Sequence, residues 1–356
     1  FVELGFITVN MGIVLNDRCY SDVDEISVIE DNIDVVSFLT EWFDDREYVV
    51  GHTSGSTGTP KKIHLLKSDM EASARLTNEF FGIDTDSVLL LCLSPNYIAG
   101  KMMIVRALLA GANLLVVKPS SSPLKEINRS VDFAAMVPMQ VQESLSDSVT
   151  RNKISYIKQL IIGGAAVSST LESALSAFPI RCFSTYGMTE TVSHVALREL
   201  NIAYSGYKAL GNITFSQDDR GCLCIHAPHL SNTFFITNDI VRLSGKTSFE
   251  WLGRFDNVIN SGGVKLFPEE IEKKISELIP DKRFYVTGVL DKRLGEKAVL
   301  IIEDQNWTQE KVASFMKEVR FILSPYQIPK EIRFVSNFRE TYSGKIIREI
   351  ATGVSQ

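Results

Sequence analysis

The sequence predicts an α/β protein: a doubly wound, mostly parallel sheet with a small β subdomain, followed by a smaller C-terminal α+β domain. Three observations carry this. Between about residues 69 and 184, short apolar runs alternate with longer segments of helical period, as strands crossed over by helices do. From 205 to 255 the chain breaks into short β-like pieces separated by turn residues. Beyond Asp256 a separate α+β order begins, so the chain divides into 1–254 and 257–356.

Taken in order, Ile33 to Phe43 carries the spacing of an amphipathic helix, and Tyr48-Val49-Val50 reads as the end of a strand. Ser68, with Glu71 three residues on, predicts a capping box opening a helix over 69–80. Strands follow at 88–93, 113–117, 133–137, 159–162 and 181–184. The helices between them are 98–110, closed by Gly111, one from Met139, and 170–177. Ligands of such sheets sit beyond the C-terminal ends of the strands, so the loops at 94–100, 163–169 and 185–191 should converge on one cleft. In the last unit Pro268 opens a helix running to about Ile279. Strands at 283–290 and 297–303, a helix at 308–322 and a strand at 331–335 complete it.

Composition narrows the class of protein. With 356 residues, 45% apolar, the chain can bury one or two good cores. A net charge of −6 argues against nucleic acid or an anionic membrane as the main partner. Cys19, Cys92, Cys182, Cys222 and Cys224 are odd in number and scattered, as reduced thiols of a cytoplasmic protein are. No basic and apolar leader marks the N-terminus. The most apolar stretch, 88–117, is interrupted by Pro95, Asn96, Lys101 and Arg106 short of the roughly 18 residues a membrane span needs.

The chemistry begins at 51–62. Thr53, Ser54, Ser56, Thr57 and Thr59 alternate with Gly55 and Gly58, and Lys61 and Lys62 follow. Hydroxyls and backbone N–H groups at such spacing can close on phosphate oxygens while the lysines add charge. The spacing is neither that of a Walker loop nor that of a dinucleotide binder. Downstream come Gly163-Gly164-Ala165-Ala166 after a strand, then Tyr186-Gly187-Met188-Thr189-Glu190-Thr191. Asp239 follows Thr237-Asn238, Gly253 to Gly263 opens on G-R-F-D and ends in paired glycines, and Thr341-Tyr342-Ser343-Gly344-Lys345 lies near the end.

The order T-S-G-S-T-G-x-P-K resembles the phosphate loop of the acyl-adenylate-forming superfamily, and the four later stretches match that superfamily in sequence order. The resemblance spans 51 to 348 and implies an ATP-, Mg²⁺- and coenzyme A-dependent acid–thiol ligase. It implies phosphate binding by Thr53 to Gly58 and Lys61, and an adenine ledge at Gly164, Ala165 and Ala166. In the Tyr186-Gly187 motif the aromatic would stack on adenine, Thr189 would contact the α-phosphate and Glu190 would reach the metal. Asp239 would bind the ribose hydroxyls, with Arg254 beside it. Asp256 falls on the hinge, Gly263 on the pantetheine tunnel, and Lys345 on the catalytic lysine. The superfamily carries a longer segment before its loop, so part of the N-terminal subdomain is expected to be missing. Asn238 and Cys222 depart from the usual Gly and Glu.

The stretch from Ser94 to Gly111 resembles the acyl-pocket region of o-succinylbenzoate–CoA ligases, which have an Arg six residues after the Gly. Tyr97 and Gly100 would line that pocket, and Arg106 would hold the substrate's second carboxylate. Alternatives are a ligase for another aryl or fatty acid, an enzyme loading a carrier protein, and a non-catalytic nucleotide binder. Whether copies of the chain associate is left open by the sequence.

Overall fold

The computed structural model describes residues 12–21, 23–26, 32–53, 61–200, 202, 206–280, 282–340 and 346–348. Its largest element is a 13-stranded sheet. From one edge the order is Thr214–Gln217, Cys222–His226, Phe234–Leu243, Ser248–Arg254, Tyr207–Ala209, His194–Glu199 and Arg181–Gly187. It continues through Ile157–Ile162, Val131–Met136, Val88–Leu91, Asn113–Val116, Ile13–Leu15 and Arg18–Tyr20. The strands from Arg181–Gly187 to Ile13–Leu15 pair in parallel. The remainder pair antiparallel, so the β pieces expected over 205–255 do not stand apart. They are hydrogen-bonded onto the edge of the parallel sheet through His194–Glu199, which covers the open ladder of Arg181–Gly187.

Alternation along the parallel strands explains why helices lie on both faces. Leu89, Leu91, Phe133 and Phe183 face one core with Phe38, Met70, Phe81 and Met103. Leu90, Cys92, Ala134 and Leu160 face the other with Val141, Leu171 and Leu175. Strands buried on two sides need apolar residues on both faces, as Val88–Leu91 and the later residues of Val131–Met136 and Ile157–Ile162 have. The helix Ile98–Ala110 buries every residue from Gly100 to Ala107 and ends at Gly111, whose φ of +64° a residue with a side chain tolerates poorly.

The expected cap at Ser68 is not formed. The helix starts earlier, at Lys67, with Leu66 as its cap and no side-chain cap bond. Tertiary contacts set this start: the Lys67 N–H donates to Glu47 O at 2.8 Å, and Lys67 Nζ reaches Asp44 at 3.0 Å. These outweigh a local capping bond of about 1 kcal/mol.

Beyond residue 258 the strands form a second sheet, Val264–Leu266, Ile259–Ser261, Gly295–Glu303 and Phe284–Asp291, with Glu331–Val335 parallel to Gly295–Glu303. The helices Pro268–Ile275 and Gln309–Ile322 pack on one face through Ile271, Ile275, Phe315 and Val319. The first stops short of Ile279, its last turn tightening into a 3₁₀ turn at Ser276–Leu278. This smaller domain touches the large sheet where Cys222, Ile240 and Leu252 meet Phe255, Val258 and Phe267, and where Ser276 Oγ lies 2.9 Å from Ser169 Oγ. Four cysteines are buried, Cys19 is exposed, and all five are free. Among the described residues no helix is long and apolar enough to cross a membrane.

Candidate functional site

The parallel strands end together, and two of the expected loops follow directly. Ile157–Ile162 runs into Gly163, whose N–H donates to Met136 O at 3.2 Å. A Cβ on Gly163 would overlap the Thr185 hydroxyl of the neighbouring strand, so glycine is what permits this close approach. Gly164, Ala165 and Ala166 are exposed, forming a ledge poor in side chains beside the strand that carries Tyr186. Gly187 lies against Ser193 O with no room for a Cβ.

Thr189–Thr191 is a 3₁₀ turn with Glu190 exposed and Thr189 half-buried. Its close is strained. Val192, β-branched and buried, has φ of +55°, and the Ser193 N–H donates back to Thr191 O at 2.6 Å. That three-residue turn is a rare and costly conformation. Thr191 Oγ1 supports it, accepting the Met188 N–H at 3.0 Å and lying 2.8 Å from Ser193 O.

Asp239 gathers the polar residues across from this turn. Strand register places it opposite Arg254, whose Nη1 lies 3.6 Å from Oδ1. The Tyr186 hydroxyl donates to Oδ2 at 2.7 Å and Trp251 Nε1 to Oδ1 at 3.1 Å. Burial, together with the Asp239 charge, pushes the Tyr186 phenol far above its ordinary value, so it stays a donor. The Tyr186 ring packs edge-on to Phe249 with centroids 5.1 Å apart. Trp251 was not singled out in the sequence, because the contact depends on which residues of two strands face one another.

Arg106 is the most unusual side chain. It is 2% exposed and the largest fully buried side chain among the described residues. Nη2 donates to Ser193 Oγ at 2.8 Å, Nη1 lies 3.5 Å from Met103 Sδ, the guanidinium sits 6.0 Å from the Phe133 ring, and Nε has no partner. No carboxylate pairs with it among the described residues. Burial pushes it down to about 9, still charged at neutral pH. Beside it His194 is buried, with Nδ1 3.3 Å from Ser193 Oγ and Nε2 3.4 Å from Thr77 Oγ1. Burial, then the Arg106 charge, holds His194 well below its ordinary value and hence neutral. Nothing in the sequence singles out Ser193 and His194, whose burial has no local signal.

Other expected residues divide into placed and undescribed. Tyr97 caps the helix Ile98–Ala110 and is 55% exposed. Gly100 has a packing reason: a Cβ there would overlap the Ser94 and Leu93 carbonyls. Thr53 and Lys61 pair as the last and first residues of the antiparallel strands Tyr48–Thr53 and Lys61–Leu66. Ser54, Gly55, Ser56, Thr57, Gly58 and Lys345 lie outside the described residues. Asp256 stands in the 3₁₀ turn Phe255–Asn257, 3.2 Å from Arg254 Nη2. Gly262 and Gly263, both at positive φ, make the two-residue turn of the Ile259–Ser261 hairpin.

A family model described as AMP-binding enzyme matches residues 24–216, more than half of the chain. An acyl-CoA synthetase (AMP-forming)/AMP-acid ligase II-like protein from Dyadobacter fermentans is 36% identical, with a TM-score of 0.60 over 88% of this chain and 91% of that one. The 2-succinylbenzoate–CoA ligase of Escherichia coli is 27% identical over 301 residues, 78% of this chain. The chain spans 64% of the length of that relative. A probable 2-succinylbenzoate–CoA ligase of Mycobacterium tuberculosis is 25% identical, covering 86% of this chain and 84% of its own length. The fold is also that of the o-succinylbenzoate–CoA synthetase of Bacillus subtilis, with a TM-score of 0.72 at 21% identity.

Proposed function

We propose, from the premise that this chain belongs to the AMP-binding enzyme family, that it is an ATP-dependent acyl-CoA ligase converting o-succinylbenzoate to its CoA thioester. In the first half-reaction a carboxylate oxygen attacks the α-phosphate of ATP and pyrophosphate leaves. In the second the CoA thiol sulfur attacks the acyl carbon and AMP leaves.

Asp239, with Arg254, suits the ribose hydroxyls, because its carboxylate is already aligned by two donors and can exchange them for ligand hydroxyls. The ledge Gly164 to Ala166 suits a flat base beside Tyr186. Thr189 and Lys345 would stabilise the charge growing at the α-phosphate. Glu190 is exposed on the turn Thr189–Thr191, which fits a role in holding Mg²⁺. The ion would neutralise charge on the triphosphate. Residues 257–356 would act as a mobile unit turning about Asp256, bringing Lys345 for one step and Gly263 for the other. The free thiols favour a cytoplasmic setting.

The observation that carries the choice of acid is Arg106. A buried guanidinium without a carboxylate is costly, and one with an unsatisfied Nε on the acyl-side helix is suited to a second acid group of the substrate. The test is thioester formation, dependent on both ATP and CoA, across a panel of aryl, fatty and dicarboxylic acids. Turnover of monocarboxylates at the rate of o-succinylbenzoate would replace this reading with a broader ligase. Adenylate formation with no thioester made from free CoA would replace it with carrier loading.

A further inference from the structure

Lys101 directly follows Gly100 on the helix that carries Arg106, yet its side chain meets a different set of partners. It is buried, with Nζ 3.3 Å from Glu41 Oε2 and 4.6 Å from the centre of the Phe38 ring. Glu41 lies on the helix Ile33–Phe43, and its other oxygen accepts the Val50 N–H at 2.7 Å. Val50 belongs to Tyr48–Thr53, the strand that leads into residues 54–60. Arg46 also faces Glu41, at 3.9 Å, and is itself held by Asp44. One lysine therefore joins the acyl-side helix, through a single carboxylate, to the backbone of the strand feeding the hydroxyl-glycine segment. The two-stranded hairpin has no further strand partner among the described residues, so this carboxylate stands where a third strand's carbonyl would accept.

We infer that Lys101 and Glu41 are a positioning pair that sets the strand Tyr48–Thr53 against the acyl-side helix and thereby sets affinity for MgATP; this rests on the reading that residues 53–61 grip phosphate. A charge-assisted bond to a strand N–H fixes that strand along its axis, which apolar packing of Val49 and Leu65 does not do. Removing Lys101 leaves Glu41 partly buried with only the more distant Arg46, itself held by Asp44, so the carboxylate is freer to turn away from Val50.

The experiment compares wild type with K101M, K101R, E41Q and K101M/E41Q. MgATP titration without acid gives Kd, acid-dependent pyrophosphate exchange gives KM and kcat, and thermal unfolding gives Tm. K101M should raise the MgATP Kd about tenfold, with KM for ATP following and kcat and KM for the acid changing less than about threefold. K101R should keep Kd near wild type, and K101M/E41Q should recover part of the loss. Should K101M fail to fold, E41Q alone decides: it keeps the side-chain shape and weakens both bonds, and its Kd should rise. A lower Tm with unchanged Kd in these variants would make the pair purely structural and overturn the inference. A wild type that binds MgATP but forms no thioester would remove the proposed reaction, while the same titrations still judge the pair.

Discussion

The Tyr186 hydroxyl and the Asp239 carboxylate meet at 2.7 Å across two non-adjacent strands, so the residue beside the ledge and the residue beside Arg254 are one unit. This pair separates stability from binding. Tyr186→Phe removes a bond to a charged acceptor and should lower stability by about 1.5–3 kcal/mol in urea unfolding. Because a ribose would compete with the tyrosine for Asp239, MgATP affinity should move far less. Asp239→Asn should do the reverse, raising the MgATP Kd by more than about tenfold, or about 1.4 kcal/mol. Equal effects of both changes on Kd would mean that Asp239 serves only the fold.

Arg106 gives the prediction that decides the acid. Arg106→Ala should weaken o-succinylbenzoate by about 2–5 kcal/mol in apparent affinity, the usual loss when one member of a desolvated pair is removed. A monocarboxylic analogue should lose far less, and MgATP affinity should hardly change. Steady-state KM values for both acids check this, and equal losses would show Arg106 to be structural.

Gly100→Ala tests whether that glycine serves the ligand or the packing. In an open helix the change would stabilise by about 1 kcal/mol. Here the added methyl meets the Ser94 and Leu93 carbonyls, so the overlap should win and unfolding should show a net loss of about 1–3 kcal/mol. A stabilised variant with altered acid KM would assign Gly100 to the pocket instead.

Two groups give the fold a pH dependence with a definite sign. His194 is held below its unfolded value of 6.5, so the unfolded chain takes up a proton first as pH falls. Its contribution is complete above about pH 6.5 and is lost progressively below it. Arg333 and Lys297 hold Glu331 down to about 2 from 4.5, so its contribution is complete above 4.5 and is lost between 4.5 and 2. Urea unfolding across this range should show two declines, the upper one flattened in His194→Gln and the lower one in Glu331→Gln.

Lys345→Ala separates the half-reactions. Acid-dependent pyrophosphate exchange should disappear, while supplied acyl-adenylate should still be converted to thioester. Loss of both would remove the lysine's assigned role.

The sequence made the parallel half of the fold legible because its signals are local. Ile98–Ala110 falls where the apolar run and Gly111 predict it, and Ile33–Phe43 does too. What stayed hidden depends on distant partners. The start at Lys67 is set by Asp44 and Glu47, and the strand Lys61–Leu66 makes sense only against Tyr48–Thr53. The union of the β pieces with the main sheet rests on the pairing of His194–Glu199 with Arg181–Gly187. At the site, Asp239 and Tyr186 were legible as separate motif positions, but Trp251 and Ser193 join through register and burial alone.

The cysteine distribution makes the protein ready for spectroscopy. Burial pushes Cys92 and Cys182 up to about 12, leaving almost no thiolate at neutral pH, whereas Cys19 is exposed on Arg18–Tyr20, the outermost strand of the sheet. A maleimide dye should therefore attach at Cys19 without mutagenesis. Paired with a second dye at an introduced cysteine on the helix Gln309–Ile322, it would turn the long sheet into a ruler for following the smaller domain through a turnover.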